Sequence, residues 1–208
     1  MDLRGNSKFR RAFTLIELLV VIAVIAILIG LLFPAFQGVQ DQAKRTPAKN
    51  DLTQIVTAVN AFYTEYGKYP VVADDTQIAV TADLFYSLRA VAVGANFGNA
   101  VNTRQIIFMS PPDVKDADNP RSGIAAKDTT VNGIATKTGE LVDPWGTPYK
   151  VAINGTYDNQ IANPYSTNGA GSDPVGQGII CWSFGKDQKA GDNGDGKFTN
   201  SDDVISWQ

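Results

Sequence analysis

The chain has 208 residues, with 18 lysines and arginines against 21 aspartates and glutamates, a net charge of −3, no histidine and one cysteine. The missing histidine excludes Ser-His-Asp and Cys-His catalysis and any zinc site built on imidazole. Lone Cys181 excludes an intrachain disulfide, and the acidic balance argues against nucleic acid, whose binders carry basic patches.

The chain opens with "MDLRGNSKFRRA", where Arg4, Lys8, Arg10 and Arg11 outweigh Asp2. A basic flank of this kind stays on the cytoplasmic side of a membrane. From Phe13 to Phe33, only Thr14, Glu17 and Gly30 are not strongly apolar. As a helix this run is about 31 Å long, which matches the ~30 Å hydrocarbon core of a bilayer. Each Leu, Ile, Val or Phe favours insertion by roughly 0.3–0.6 kcal/mol, and one acidic residue opposes it by about 2.5–3.5 kcal/mol at the membrane centre. Glu17 therefore does not veto the span. A secretory signal has a shorter apolar region, ~7–15 residues, followed by a small-residue cleavage site; "PAFQGVQDQ" is a poor match. A plain signal anchor leaves Glu17 unexplained. A prepilin-type signal, cut ahead of the apolar run, accounts for both flanks.

"AFTLIELLVVIAVIAIL" resembles the leader junction of type IV pilins and type II secretion pseudopilins. The resemblance implies cleavage between Ala12 and Phe13 by prepilin peptidase, with methylation of the new Phe13 amine. The residue before the cut is usually glycine in that family, and here it is Ala12. Pro34 also falls where these helices commonly carry a proline. An intramembrane charge needs a named partner. For Glu17 that partner is the Phe13 amine of a neighbouring subunit in an assembled filament; the alternative is a side chain that snorkels to the headgroups.

"AFQGVQDQAKR" continues as polar helix, weakened by Gly38 and Pro47, with a kink expected at Pro34. From Leu52, the residues Ile55, Val56, Val59, Phe62, Tyr63 and Tyr66 recur on one helical face. Gly67 ends the helix. "YGKYP" resembles the family's helix exit. "TADLFYSLRAV" (Thr81 to Val91) predicts a helix, and "RQIIFMS" (Arg104 to Ser110) a short strand or extended segment. "PPDVKDADNPRSGIAAKDTTVNG" and "NGTYDNQIANPYSTNGAGSDPVGQG" are expected as loops. Strands are expected at "YKVAI", at Gly178–Phe184 around a buried Cys181, and near Val204–Trp207. "DPWGTPYKV" resembles the hallmark of the major, G-type pseudopilin, from Asp143 to Tyr149, with Trp145 a structural anchor.

The expected fold is α+β: a long N-terminal helix, membrane-spanning in its first half, packed on a small antiparallel sheet head, the pilin fold. Residues 1–12 form the leader, 13–35 the transmembrane and filament-core helix and 36–67 the amphipathic stem. Residues 68–208 form the head, with an insertion at 71–140 and an acidic loop at 185–206.

"SFGKDQKAGDNGDGKFTNSDDVISW" is dense in aspartates, which repel each other unless a cation joins them. Oxygen ligands on glycine-permitted turns suit Ca²⁺, which takes 6–8 oxygens. EF-hand spacing fails: with Asp195 and Gly196 at the fifth and sixth positions, the first falls on Gly191. G-type pseudopilins end in a calcium-binding loop with a similar frame, and "GKD" and "SDDVISW" resemble it. The resemblance implies Asp187 and Asp203 as the closing pair, then Asp195, Asp192 and Asp202, with Ser201 or backbone carbonyls completing the shell. A metal-free solvated loop is the alternative.

Taken together, the resemblance implies a structural subunit, not an enzyme. It would sit single-pass in the inner membrane, N-terminus cytoplasmic and head periplasmic. An assembly platform in that membrane would extract it, and it would self-assemble with minor pseudopilins into a helical periplasmic filament that drives protein export. The lone cysteine tilts this toward the pseudopilin branch, because many major pilins close a C-terminal loop with a disulfide. A type IV pilin of a surface fibre is the alternative. A membrane-tethered periplasmic binding domain or enzyme is a third, disfavoured by the missing histidine and the lack of a nucleophile motif.

Overall fold

A computed structural model describes residues 13–71, 78, 81–165 and 169–208, with the side chains of 32–38 left out. The leader, Ala12 included, lies outside the described residues. Helix α1 runs from Leu15 to Tyr66. Neither Pro34 nor Pro47 ends it, and it continues through Gly38. Gly67 ends it at φ +67, as the spacing predicts. Residues up to Gln42 form one unit and Ala43–Gln208 a second, compact one.

In the first unit the large apolar side chains from Leu15 to Leu31 are about half exposed or more. Among the described residues no helix is long and apolar enough to cross a membrane. The apolar part of α1 with described side chains stops at Leu31, so it measures about 26 Å from Leu15, short of the ~30 Å core.

In the second unit α1 turns one face inward. Ala48, Leu52, Ile55, Val59 and Phe62 are fully buried, Val56 and Tyr66 pack at the margin, and Tyr63 stays partly exposed. Helix α2 spans Ala82–Leu88, inside the predicted Thr81–Val91. Strands follow at β1 (Gly123–Ile124), β2 (Thr129–Val131), β3 (Ile134–Thr136), β4 (Leu141–Val142), β5 (Lys150–Ile153), β6 (Ile179–Ser183) and β7 (Val204–Ile205). The last three form the antiparallel sheet β5-β6-β7, with Val151 opposite Cys181 and Trp182 opposite Ile205.

That sheet is covered on both faces, which explains the unbroken apolar run of β6. Val151, Ile153, Ile179, Cys181 and Val204 face the α1 core. Ala152, Ile180, Trp182 and Ile205 face a second cluster built by Ile161, Tyr165, Ala170 and Val175. Those four come from the segment expected as a plain loop. It is a loop, tied by an isolated bridge between Ile161 and Val175, but it serves as the second cover. Each large side chain buried in this way contributes about 1.5–3 kcal/mol.

One expectation is corrected, and one of two alternatives falls away. The stretch from Pro111 to Gly133 is not all loop: β1 pairs with β4, and β2 with β3. Asn132 (φ 51) and Gly133 (φ 83) make the turn between β2 and β3, since two-residue hairpin turns need positive φ at both positions. "RQIIFMS" forms no strand among the described residues. The Phe108 N–H donates instead to the Leu88 carbonyl at the end of α2 (2.9 Å), and the Phe108 ring lies 5.3 Å from that of Phe62. Buried Asn102 fastens the insertion to α1: its Oδ1 accepts from the Tyr66 hydroxyl (2.7 Å), and its Nδ2 donates to the Ser87 carbonyl (2.8 Å).

Candidate functional sites: the N-terminal turn and the acidic loop

At the start of α1, Thr14 and Glu17 satisfy each other. Thr14 donates its N–H and its hydroxyl to Glu17 Oε2, both at 2.8 Å, and the Glu17 N–H donates to Thr14 Oγ1 at 3.2 Å. This is a capping box, which pairs N–H groups that the first helical turn leaves free. The sequence signal was present as Thr-x-x-Glu ahead of an apolar run. Glu17 thus has a partner inside its own chain before any neighbour arrives. Phe13 is 78% exposed.

At the other end, the turn after β4 holds the acidic loop from behind. Asp143 is fully buried, and its Oδ1 accepts from the N–H groups of Trp145 (2.9 Å), Gly146 (2.8 Å) and Thr147 (2.9 Å). Burial pushes its carboxyl up to about 6, against the pull of those donors and of Ser183. The Ser183 hydroxyl donates to Asp143 Oδ2 and accepts from the Gly185 N–H, the first residue of the loop. Gln188 Nε2 donates to the Trp145 carbonyl at 2.9 Å. Trp145 is buried in the core, as an anchor should be.

Two glycines bring the loop's ends together. Gly185 (φ +64) and Gly191 (φ +79) adopt left-handed backbone, and a Cβ on either would collide with backbone: the Asp202 carbonyl at Gly185, the Lys197 amide at Gly191. Asp187, Asp202 and Asp203 therefore converge, one carboxylate oxygen of each lying within 4.8 Å of the others. Asp202 Oδ2 accepts from the N–H groups of Lys186 and Asp187 (3.0 Å to the latter). Asp187 accepts from Lys189 N–H (2.8 Å) and Asn193 N–H (3.0 Å). Asp203 is fully buried, with Oδ2 accepting from Gly191 N–H at 2.7 Å and Oδ1 left without a partner. Burial, first of all, raises its pKa. The Arg45 guanidinium on α1 donates to the Asp203 carbonyl at 3.2 Å.

The other expected ligands sit differently. Asp195 Oδ1 accepts from its own turn, from Asp192 N–H (3.0 Å) and Lys197 N–H (2.8 Å). Asp192 is exposed and accepts from Asn193 Nδ2. Ser201 Oγ accepts the Asp203 N–H at 2.9 Å and so braces the group. The loop thus joins Asp187, Asp202 and Asp203 and leaves Asp192 and Asp195 outside. Tyr165, Arg45 and Asp143, which adjoin or support the group, carry no local motif that points to it.

Three carboxylates this close repel strongly unless a cation or protons intervene. A buried carboxylate oxygen without a donor is costly. The donor set is all oxygen and hard, which fits Ca²⁺ and not a thiolate- or imidazole-seeking metal.

Residues 7–33 match the family described as the prokaryotic N-terminal methylation motif. The chain is 34% identical to the type IV major pilin protein PilA of Myxococcus xanthus (strain DK1622) over 41% of its length and 39% of that protein. It is 31% identical to the type II secretion system core protein G of Pectobacterium carotovorum subsp. carotovorum over 37% of its length and 50% of that protein. It is 26% identical to the core protein G of Pseudomonas aeruginosa over 69% of its length and 74% of that protein. The chain therefore spans half or less of the first two relatives. No solved structure matches it. The prepilin-type N-terminus and the relatives of both kinds make this chain similar to pilins and pseudopilins alike, and its long first helix and small antiparallel head are of the same pilin-like kind.

Proposed function

We propose that this protein is a structural subunit of a type II secretion pseudopilus. In this reading residues 13–35 hold it in the inner membrane, with the basic end cytoplasmic and the head periplasmic. Prepilin peptidase cuts between Ala12 and Phe13. An inner-membrane platform then moves the subunit into a periplasmic filament shared with minor pseudopilins. The observation that carries the reading is the pair formed by the "DPWGTP" turn and the acidic loop it supports through Asp143, Ser183 and Gly185. Likeness to a core protein G extends over 69% of the chain, well past the N-terminal motif that pilins share.

Exposed apolar residues from Leu15 to Leu31 give subunits a reason to associate once they leave lipid. Glu17 then exchanges its Thr14 cap for the cationic Phe13 amine of a neighbour. Breaking such a buried pair costs about 3–5 kcal/mol, enough to fix axial register.

In the head, Asp187, Asp202 and Asp203 would hold a Ca²⁺ ion, with Ser201 bracing the backbone of the last. The ion would supply the positive charge that these carboxylates lack. The support is the unpartnered, buried Asp203 Oδ1.

Deleting the gene and measuring both exoprotein release and twitching tests the reading. Lost release with normal twitching is the expected result. The converse would favour a type IV pilin, for which the likeness to the Myxococcus pilin speaks.

A further inference from the structure

Tyr165 belongs to the loop between β5 and β6, far in sequence from the acidic group, and is 1% exposed. Its backbone is fixed by Asn163: Oδ1 of Asn163 accepts the Tyr165 N–H at 3.0 Å, and Nδ2 donates to the Ala170 and Ser172 carbonyls at 3.1 and 3.0 Å. Its ring lies edge-on to Phe198 at 5.7 Å and beside Trp207 at 6.3 Å. Those two aromatics flank Ser201, Asp202 and Asp203 in sequence, so the ring is held from both sides of the acidic group.

The hydroxyl at the end of that ring is buried and has no hydrogen-bond partner of normal geometry; the same is true of Asp203 Oδ1. Among the described residues the other two buried orphans are Trp145 Nε1 and Thr147 Oγ1, both in the turn behind the loop. The Tyr165 ring packs on Phe198 and Trp207, which lie on either side of Asp203 in the chain, so an unmatched buried donor and an unmatched buried acceptor share one corner of the head. The phenol lies near enough to Asp203, Asp187 and Asp202 for all three carboxylates to act on it. A phenol hydroxyl is an ordinary hydrogen-bond donor at neutral pH.

We infer that Tyr165 is a positioning residue of the cation site: its hydroxyl donates to Asp203 and turns that carboxylate toward Asp187 and Asp202 to receive a divalent cation of calcium's size. The inference rests on the calcium reading above and adds to it a group from outside the acidic loop. It also couples two parts of the head. Tyr165 is a member of the second core cluster with Ile161, Ala170, Val175, Ile180 and Trp182. Ordering its hydroxyl on Asp203 ties cation binding to the loop that covers the outer face of the sheet. Such coupling is reciprocal: a looser cover weakens the cation, and cation loss loosens the cover.

Tyr165→Phe keeps the ring in the core and removes only the hydroxyl. The test is a calcium titration by calorimetry on the full chain in detergent, beside the melting temperature in excess chelator. The expected result is calcium binding weakened about tenfold, equivalent to about 1.4 kcal/mol, with the chelated melting temperature changed by less than about 2 °C. A purely structural tyrosine would leave the calcium dissociation constant within about twofold of wild type, and that result overturns the inference whatever happens to the melting temperature. Asp203→Asn separates the two ideas. If wild type binds calcium, Asp203→Asn does not, and Tyr165→Phe binds like wild type, the tyrosine role falls and the site stands. If wild type itself binds no calcium, both fall.

Discussion

The two ends of this chain share a problem and differ in its solution. Near the N-terminus, Leu15 to Leu31 present apolar side chains about half exposed or more. Near the C-terminus, Asp187, Asp202 and Asp203 gather negative charge, one carboxylate oxygen of each lying within 4.8 Å of the others. The first deficit is apolar area, which lipid or another apolar surface can cover. The second is charge, which a small ion can neutralise. The first points to assembly and should respond to what subunits touch. The second should respond to what the solution holds. Even the helix that starts at Leu15 changes habit along its length. Its first part shows apolar side chains on all sides, and its last part buries one stripe against the sheet.

The comparison can be broken from either side. The largest effect is expected at the N-terminal end. Glu17→Ala should leave insertion intact but reduce sheared filaments by about a hundredfold or more, as loss of a buried pair of about 3–5 kcal/mol implies. Normal filament yield would remove the pairing role. At the C-terminal end, chelation should lower the melting temperature by about 5–10 °C. Saturation at 100 times the dissociation constant contributes about 2.7 kcal/mol, and a chain of this size shifts about 2–4 °C per kcal/mol. An unchanged melt would leave the loop metal-free. Within the loop, Asp203→Asn should weaken calcium by more than tenfold, while Asp192→Asn and Asp195→Asn should each cost less than about threefold. Equal effects at all three would mean the ligand set is wider than the convergent trio.

The smallest effect concerns Asp143. Its carboxyl is raised from the ordinary ~3.9 to about 6, so its stabilising contribution is fully present below about pH 4 and is lost as pH rises through 6. In chelator, the advantage of wild type over Asp143→Asn should therefore shrink between pH 4 and pH 7. An advantage that grows with pH would mean the three backbone donors on Oδ1, and not burial, dominate that site.

Where the sequence was legible, a period made it so. Leu52, Ile55, Val59 and Phe62 mark a helical face, and "YKVAI" and "IICWS" mark strands, because one dominant contact surface selects residues at regular steps. The second cover of the sheet was not legible. Ile161, Tyr165, Ala170 and Val175 sit at irregular intervals among Asn, Gly and Pro, and only the chain path brings them onto Ile180 and Trp182. The hairpin of β2 and β3 hid in polar surroundings, although its Asn132-Gly133 turn was a local signal. In the acidic loop, composition indicated a hard cation but spacing could not rank the aspartates. That ranking depends on the reversals at Gly185 and Gly191, which fold Asp202 and Asp203 back onto Asp187. The Thr14–Glu17 cap was readable, yet a search for an intermolecular partner of Glu17 passes over the nearer one.

The account stands most directly on how the chain begins once it is made. Mass spectrometry of the protein recovered from membranes should find an N-terminal peptide starting at Phe13 and bearing one methyl group on its amine. A protein that still starts at Met1, or one cut after the apolar run, would contradict it.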